Sequence, residues 1–221
     1  IILTKFCERL LLKEIRPDNI EIGAAVTMED LENSLVSEYP ELQEWFQRFG
    51  GPQVRCSGTL GGNIANGSPI GDSAPVLIAL GASLTIHSCR GNRVIPMEDF
   101  FIEYGKQDLL DDEVLVSILI PRRAHIRRFA VEKISKRYDQ DISIVLAAMA
   151  EICGDKPSYR FAFGGMAGTP KLAEKTMKSL NPDDLTSDFS PLSDHRAEAW
   201  YRLAVSKNLV RDFLDGEASR E

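Results

Sequence analysis

One stretch of the sequence governs the interpretation of the rest, and it reads, over residues 55–72, Arg-Cys-Ser-Gly-Thr-Leu-Gly-Gly-Asn-Ile-Ala-Asn-Gly-Ser-Pro-Ile-Gly-Asp. Glycine, hydroxyl and asparagine residues dominate it, which predicts a loop that packs no core and whose backbone N–H groups can approach an anion. Further donors are the side chains of Thr59, Asn63, Asn66 and Ser68. Asp72 is an acceptor suited to a ribose hydroxyl or a ring N–H. The order GxGxxG and the P-loop order are both absent, so the loop alone fits a nucleotide site and a tight helix-to-strand connection equally well.

Upstream of this loop, the pattern predicts one strand and two helices. Ile20–Val26 alternates as a strand does, and Thr27 with Asp30 three residues later predicts a helix start. A second helix follows Pro40. Its buried face is predicted by an apolar stripe at helical spacing, Leu42, Trp45, Phe46 and Phe49.

Downstream of the loop, the pattern predicts a short apolar helix and then strands. The predicted elements are a helix at Pro75–Leu80, strands at Ala82–His87 and Glu113–Ile120, and a hairpin turn at Arg90–Asn92. Pro121 ends the last strand, and the pattern of residues changes after it. We therefore place a domain boundary near Pro121–Ile126, with domains at 1–123 and 124–221.

The second domain is predicted to begin with two strands. Ile142–Cys153 is apolar on both faces, with Cys153 as a core residue, and Tyr159, Phe161 and Phe163 alternate. Thr169-Pro170 predicts a helix start, and 181–190 predicts a polar loop.

A final helix is predicted between a cap at Ser193 and a C-terminal Gly216. Its inner stripe is predicted to be Trp200, Leu203, Ala204, Val210, Phe213 and Leu214.

Composition excludes several classes of protein. The 221 residues are 43% hydrophobic and 27% charged, as in ordinary globular chains, and the net charge of −7 argues against a nucleic-acid partner. No apolar run approaches the roughly 18 residues that a bilayer span needs, and no signal peptide pattern is present. The four cysteines and three histidines have no metal-binding spacing, so neither a metal site nor a disulfide framework is predicted, and reduced thiols in a cytoplasmic protein fit best.

Residues 55–72 resemble the second flavin-binding motif of the molybdenum hydroxylase flavoproteins, a family that includes xanthine dehydrogenases and carbon monoxide dehydrogenase medium subunits. The resemblance is carried by Gly-Gly-Asn at 61–63, Ser-Pro at 68–69 and Asp72, at the offsets of that motif. Other segments resemble the same family, and they lie at 100–106, 113–121, 133–142, 163–167 and 191–202. The likeness spans roughly residues 20–215 and is greatest to a bacterial xanthine dehydrogenase small subunit, although Gly105 replaces a usual arginine.

The resemblance implies an α+β protein. The expected architecture is a two-subdomain FAD-binding fold of the PCMH/vanillyl-alcohol-oxidase type, followed by an α/β C-terminal subdomain with a small antiparallel sheet packed on helices. The implied cofactor is FAD, which would receive electrons from molybdenum through iron–sulfur clusters and pass a hydride to NAD. The [2Fe-2S] clusters and molybdopterin are expected in an upstream domain or a partner chain, with a molybdopterin-binding large subunit completing a hetero-oligomer.

The resemblance also implies which residues touch FAD, and it implies no catalytic residue and no metal ligand in this chain. The implied contacts are Phe49, Thr59, Gly61, Gly62, Asn63, Asn66, Ser68, Asp72, Leu115 and Lys133. Thr59, Gly62 and Asn63 would serve the pyrophosphate, and Asp72 the adenosine or ribityl portion. Leu115 would pack on the isoalloxazine, and Lys133 would place a positive charge near it. Phe49 would lie near the ring system, although it also belongs to the apolar stripe.

The chain departs from the family pattern at its start. The first glycine-rich loop of the family is expected before Ile1, with Thr4-Lys5 as its trailing element, and Phe6–Ile15 is shorter than the family pattern. Half of the pyrophosphate cradle would then lie upstream of this sequence. Two alternatives stay open: a flavoprotein of a related hydroxylase acting on carbon monoxide, an aldehyde or nicotinate, and a cofactor-less assembly or interaction subunit.

Overall fold

The computed structural model describes residues 7–216, so Thr4-Lys5 lies outside the described residues. The strands of the first part are β1 (Lys13–Ile15), β2 (Asn19–Gly23), β3 (Ser83–Ser88), β4 (Gly91–Pro96), β5 (Phe101–Glu103), β6 (Lys106–Gln107) and β7 (Val114–Pro121). The helices are α1 (Met28–Leu35), α2 (Gln43–Arg48), α3 (Pro52–Ser57), α4 (Leu60–Ala65) and α5 (Ser73–Leu80). Short 3-10 helices lie at Glu8–Leu11, Pro40–Leu42, Met97–Asp99 and Arg123–His125.

The first sheet is antiparallel throughout, with the strand order β1-β2-β7-β3-β4. Strand β7 lies at its centre, where Ile120 pairs with Ile20 of β2 and Ile118 pairs with Leu84 of β3. The apolar pattern of β7 agrees with this position, because a central strand is covered on both faces. Strands β5 and β6 form a separate hairpin.

The second sheet follows Arg123–His125. Its strands are β8 (Ile126–Ile134), β9 (Val145–Ile152), β10 (Ser158–Gly164) and β11 (Lys171–Leu172), in the antiparallel order β11-β10-β9-β8. The helices of this part are α6 (Glu174–Ser179), α7 (Leu185–Asp188) and α8 (Ala199–Asp215), with a 3-10 helix at Pro182–Asp184. Phe213 of α8 packs on Phe161 of β10, with 5.8 Å between the ring centroids.

Helix α5 joins the two sheets. All of its residues are buried, and it contacts β7 of the first sheet as well as β9 and β10 of the second. A helix that is apolar all round requires such a position, because no face of it can meet water without cost. Gly81 ends the helix with a left-handed φ of 73°.

The α+β prediction is confirmed, and so are most of the elements that rest on strong periodicity. Thr27 caps α1, with its hydroxyl oxygen accepting a hydrogen bond from the Asp30 N–H at 3.1 Å. The stripe through Leu42, Trp45 and Phe46 is buried as predicted. The β3–β4 hairpin is present, although its turn residues are Cys89 and Arg90, because Ser88 pairs with Gly91.

The prediction that the glycine-rich segment is a loop without core packing is wrong. Residues 60–65 form α4, in which Leu60, Gly61 and Ile64 are buried. Thr59 initiates this helix by accepting a hydrogen bond from the Gly62 N–H at 3.1 Å. The cap and the two aliphatic side chains offset the low helix propensity of the glycines.

The predicted inner stripe of the last helix is also wrong in part. Trp200 is 65% exposed, whereas the buried residues of α8 are Arg202, Ser206, Val210 and Phe213. The Arg202 guanidinium donates hydrogen bonds to the carbonyl groups of Ile144 and Gly165 and to the Asp194 carboxylate. Burial opposes ionisation of Asp194, but the N–H groups of Ala197 and Arg196 and the Arg202 guanidinium lower its pKa to about 2. Hydrophobic periodicity cannot predict a buried polar face of this kind.

Four other local predictions differ from the structure. Cys153 is exposed, because β9 ends one residue earlier. Thr169-Pro170 precedes β11, and α6 begins only at Glu174, without a side-chain cap. The predicted polar loop 181–190 contains α7, whose Leu185 is buried. Ser193 is not the N-cap of α8, although its hydroxyl oxygen accepts from the Ala199 N–H at 3.0 Å. Over residues 7–216, no helix combines the length and apolarity that crossing a membrane requires.

Candidate functional site

Helix α4 is held against the end of β2 by a short backbone ladder. The Leu60 N–H donates to the Val26 carbonyl at 3.0 Å, and the Gly61 N–H donates to the Ala24 carbonyl at 2.9 Å. An isolated antiparallel bridge pairs Thr27 with Thr59. These bonds fix the two residues on which the candidate site centres, Thr59 and Gly61, to the rim of the first sheet.

Gly61 is required by packing against the first sheet. A Cβ at this position would lie 2.5 Å from the Cβ of Ala24 and 2.7 Å from its carbonyl oxygen, closer than any real contact. Gly62 is exposed, and a Cβ there would lie 2.8 Å from the Thr59 hydroxyl oxygen that caps the helix. From the sequence, both glycines were predicted to let a ligand come close to the backbone. The structure shows that Gly61 lets α4 approach β2 and that Gly62 leaves room for the Thr59 cap.

A groove of about 310 Å³ lies beside α4, between the end of β2 and the start of β7. It is lined by Leu10, Ala24, Ala25, Thr59, Gly61, Gly62, Ala65, Leu109, Glu113, Val114 and Leu115. Four of the residues predicted from the sequence therefore line the same groove: Thr59, Gly61, Gly62 and Leu115. The groove has a mostly apolar lining with few polar groups, which is typical of cofactor sites.

The remaining lining residues were missed by the sequence interpretation. Ala24 and Ala25 follow directly after β2, and their small side chains were the only signal available in the sequence. Leu109 and Glu113 come from the connection between the β5–β6 hairpin and β7, and they reach the groove only through tertiary folding.

The backbone N–H groups of α4 are already engaged within the protein. The N–H of Gly61 donates to Ala24, and that of Asn63 donates to the Thr59 carbonyl at 3.0 Å. The Gly62 N–H is occupied by the Thr59 hydroxyl oxygen. Polar contacts to a ligand would therefore come from side chains, and the Thr59 hydroxyl still has its proton to donate.

Asn63 carries the clearest sign of an unmet polar contact. Its side-chain oxygen is buried and has no hydrogen-bond partner within the described part of the chain. Buried polar atoms are almost always hydrogen-bonded, so this oxygen is a candidate acceptor for an N–H or O–H group of a bound molecule.

Asp72 and Lys133 form a buried ion pair with 2.6 Å between Nζ and Oδ2. The Ser143 hydroxyl donates to the other carboxylate oxygen at 2.5 Å, and Lys133 also donates to the Arg48 carbonyl at 3.1 Å. The pair connects the start of α5 to β8 of the second sheet. The charge of Lys133 is thus balanced by Asp72, and its role near a flavin stays a prediction.

The other predicted site residues lie elsewhere. Phe49 is 9% exposed and packs on Trp45 with 5.5 Å between ring centroids, so it belongs to the core stripe. Asn66 is exposed, and Ser68 accepts a hydrogen bond from the Ile70 N–H at 3.3 Å. Asn63, Asn66 and Ser68 are not among the described residues that line the groove.

One carboxylate in the groove lining, Glu113, is fully engaged. Arg93 of β4 donates to both of its oxygens, at 2.9 and 2.7 Å, and the Leu110 N–H donates at 3.0 Å. The Arg93 guanidinium, and secondarily the Leu110 N–H, lower the pKa of Glu113 to about 2. Arg93 also donates to the side chain and the carbonyl of Asp108, at 2.7 Å each, which ties the 108–113 segment to β4.

We expect Thr59→Ala to destabilise the protein by about 1 kcal/mol, because it removes the hydroxyl cap of α4. Thr59→Ser keeps the cap and is the matched control, so its midpoint in urea should stay near that of the wild type. Urea unfolding with both variants measures the difference. An equal loss in both variants would contradict a capping role.

Comparison with known proteins yields two family matches that together span most of the chain. Residues 8–123 match the FAD binding domain in molybdopterin dehydrogenase. Residues 130–216 match the CO dehydrogenase flavoprotein C-terminal domain.

Individual relatives agree with these matches. The chain is 33% identical to a xanthine dehydrogenase FAD-binding subunit of Escherichia coli O157:H7, over 89% of this chain and 73% of that protein. It is 38% identical to a xanthine dehydrogenase/oxidase of Gallus gallus over 73% of this chain, but that match spans only 13% of the Gallus protein. The chain thus spans 13–14% of the length of the first curated relatives that it matches. A CO dehydrogenase structure from Oligotropha carboxidovorans superposes with a TM-score of 0.83 at 26% identity, covering 96% of this chain and 80% of that chain.

The residues of the groove fit a flavin dinucleotide. Within the groove, the Thr59 hydroxyl supplies a donor, and Leu109 and Leu115 supply an apolar wall. The unpartnered Asn63 oxygen, on the same helix but outside the groove lining, supplies an acceptor. A flavin dinucleotide combines a polar diphosphate with a large apolar ring, so it needs both kinds of surface. The site geometry, the two family matches and the similarity to a separate FAD-binding subunit agree, and the chain belongs to the FAD-binding domain family of the molybdopterin dehydrogenases.

Proposed function

We propose that this chain is the FAD-carrying component of a xanthine dehydrogenase-type molybdenum hydroxylase. The observation that supports it most directly is the 33% identity to a separate xanthine dehydrogenase FAD-binding subunit over 73% of that protein. Electrons from a molybdenum centre would reach FAD through iron–sulfur clusters, with NAD as the final acceptor. We further propose that the clusters and the molybdopterin lie in an upstream domain or in a partner chain, within a cytoplasmic hetero-oligomer.

The groove beside α4 is the part of the chain that we propose holds FAD. Thr59 in the groove lining offers a side-chain donor for the polar portion, and Leu115 offers an apolar surface for the ring. Asn63 and Asn66, which lie beside the groove lining on and just after α4, would add polar contacts. Asp72 and Lys133 hold the start of α5 against β8 and so fix the orientation of the groove relative to the second sheet. When bound, FAD supplies two-electron redox chemistry, while the protein supplies position and electrostatics.

A related hydroxylase with another substrate is the second candidate. The likeness to a CO dehydrogenase structure over nearly the whole chain favours it as a specific alternative. The substrate is selected at the molybdenum centre, which lies outside this chain, so the two candidates share the same flavin site. Turnover by the complete enzyme separates them: reduction of NAD with purines supports the xanthine assignment, whereas oxidation of carbon monoxide or aldehydes alone overturns it.

The cofactor itself tests the proposal against a cofactor-less interaction subunit. The complete native chain, purified and incubated with FAD, should show the visible absorption of bound oxidised flavin. A colourless protein that takes up no FAD would overturn both enzyme candidates and support the interaction subunit.

We expect Asn63→Ala to weaken FAD binding about three- to tenfold, because one hydrogen bond to the cofactor is lost. Quenching of flavin fluorescence on titration gives the Kd. Asn208→Ala is the matched control, since Asn208 lies on the exposed side of α8 and pairs with Arg211. An unchanged Kd for Asn63→Ala would place the cofactor elsewhere in the protein.

A further inference from the structure

The proposed FAD groove contains a carboxylate, Glu113, in the same lining as Thr59 and Gly62. A flavin dinucleotide carries a negatively charged diphosphate. Two negative charges in one partly buried groove repel each other, and the low effective dielectric constant there strengthens the repulsion. The groove can accept an anionic ligand only when this carboxylate is compensated.

Protonation cannot supply the compensation. Glu113 is held by Arg93 and by the Leu110 N–H, and its pKa lies at about 2, so the carboxylate is charged throughout the neutral range. Its side chain is only 5% exposed, which leaves little access for solvent ions. The compensating charge must therefore be a fixed group of the protein.

Arg93 has the geometry of that group. Its Nε and Nη2 atoms contact the two Glu113 oxygens at 2.9 and 2.7 Å, a two-point contact that lysine cannot reproduce. Two further hydrogen bonds to Asp108 hold the guanidinium in place. The other nearby cation, Arg90, is 58% exposed and lies 3.9 Å from Glu113, so it compensates the charge much less.

We propose that Arg93 is a positioning residue for the cofactor. It is the fixed counter-ion that neutralises Glu113 in the groove lining, so that the groove can hold an anionic dinucleotide. Arg93 acts through Glu113, without touching the ligand. The inference rests on the proposed function, because it takes the groove to be the FAD site. It adds an electrostatic requirement that the family match does not contain.

Substitutions of Arg93 and of Glu113 should change the Kd for FAD in opposite directions. We expect Arg93→Met to raise the Kd for FAD about fivefold or more, because a bare carboxylate then faces the groove. Glu113→Gln removes the negative charge and should leave the Kd equal to or below that of the wild type. The double variant Arg93→Met/Glu113→Gln should return to within about twofold of the wild type, since the carboxylate that lines the groove is gone and the other acidic partner of Arg93, Asp108, is 41% exposed to solvent.

The experiment measures FAD binding to the complete native chain by fluorescence quenching at low and high salt. The Arg93→Met deficit should shrink at high salt, as expected for a charge effect, while thermal unfolding reports whether each variant is folded. Arg127→Met, which removes a 69% exposed arginine paired with Glu151 in the second sheet, controls for the change in net charge.

The outcomes separate this inference from the proposed function. A wild-type chain that binds no FAD overturns both. If the wild type binds FAD and Arg93→Met binds equally well, only the counter-ion role is overturned. Weak binding by both Glu113→Gln and the double variant would show that the pair serves structure alone, and it would likewise overturn the inference.

Discussion

Replacing Lys133 with methionine should destabilise the protein by about 3–5 kcal/mol, the largest effect that we expect from a single substitution. Lys133 is 3% exposed and Asp72 is 9% exposed, and they lie 2.6 Å apart. Methionine fills the space of the lysine stem but leaves the Asp72 carboxylate buried, with the Ser143 hydroxyl as its one remaining side-chain partner within residues 7–216. Removing one member of a buried pair costs far more than the pair itself contributes, because the remaining charge is uncompensated.

The double variant Asp72→Asn/Lys133→Met is the control for this prediction. It removes both charges and keeps a side chain of similar shape at each position, so most of the lost stability should return. Urea unfolding measures both variants, and equal slopes confirm that the same surface is exposed. A loss below about 1 kcal/mol in Lys133→Met would show that the pair is not formed in solution.

FAD retention in the same variants separates two roles of the pair. Asp72 and Lys133 were both expected from the sequence to contact the flavin, whereas the structure shows that they contact each other. If the double variant regains stability and retains FAD, the pair acts by holding α5 against β8. If it regains stability but loses FAD, the charged groups themselves contact the cofactor.

Gly61→Ala is expected to destabilise the protein by about 1–3 kcal/mol and to weaken FAD binding. A Cβ at this position would lie 2.5 Å from the Ala24 Cβ and 2.8 Å from its Cα, so α4 must move away from β2. The ladder bond from the Gly61 N–H to the Ala24 carbonyl would lengthen with it. Because Thr59 and Gly61 both line the groove, this movement also changes the groove.

Gly154→Ala is the matched control for this glycine. Gly154 is exposed, and the nearest atom to a Cβ there is the Lys156 carbonyl oxygen at 3.5 Å, an ordinary contact. Its stability should stay within about 0.5 kcal/mol of the wild type. Equal unfolding midpoints for Gly61→Ala and the wild type would mean that α4 and β2 are not in close contact.

The sequence predicted the fold wherever one physical signal dominated. Alternation located β3 and β10, and the cap at Thr27 located the start of α1, because each depends on residues close together in the chain. The prediction was wrong where tertiary contacts decide. Arg202 is buried because it meets two backbone carbonyls and Asp194, and Leu185 is buried within a segment whose composition is polar.

The candidate site was predicted in part for the same reason. Thr59, Gly61 and Gly62 of the motif line one groove together with Leu115, and their contact with FAD stays a prediction. Glu113 and Arg93 could not be predicted as a pair, since Arg93 lies in β4 and Glu113 in the segment before β7, and the two meet only when these parts of the chain fold together. The roles of Gly61 and Gly62 could not be decided from the sequence. A missing Cβ makes room for a ligand or for a neighbouring part of the protein equally well.

The central position of β7 in the first sheet has a consequence for how the protein folds during its synthesis. On the ribosome, β1 and β2 emerge long before β7, yet β2 and β3 have no direct pairing and join only through β7. The first sheet therefore cannot close until the chain has been synthesised through Pro121, because Ile20 of β2 pairs with Ile120 of β7. Such distant pairing is slow to form and leaves apolar strands uncovered meanwhile. We therefore expect the newly made chain to be prone to aggregation during this interval.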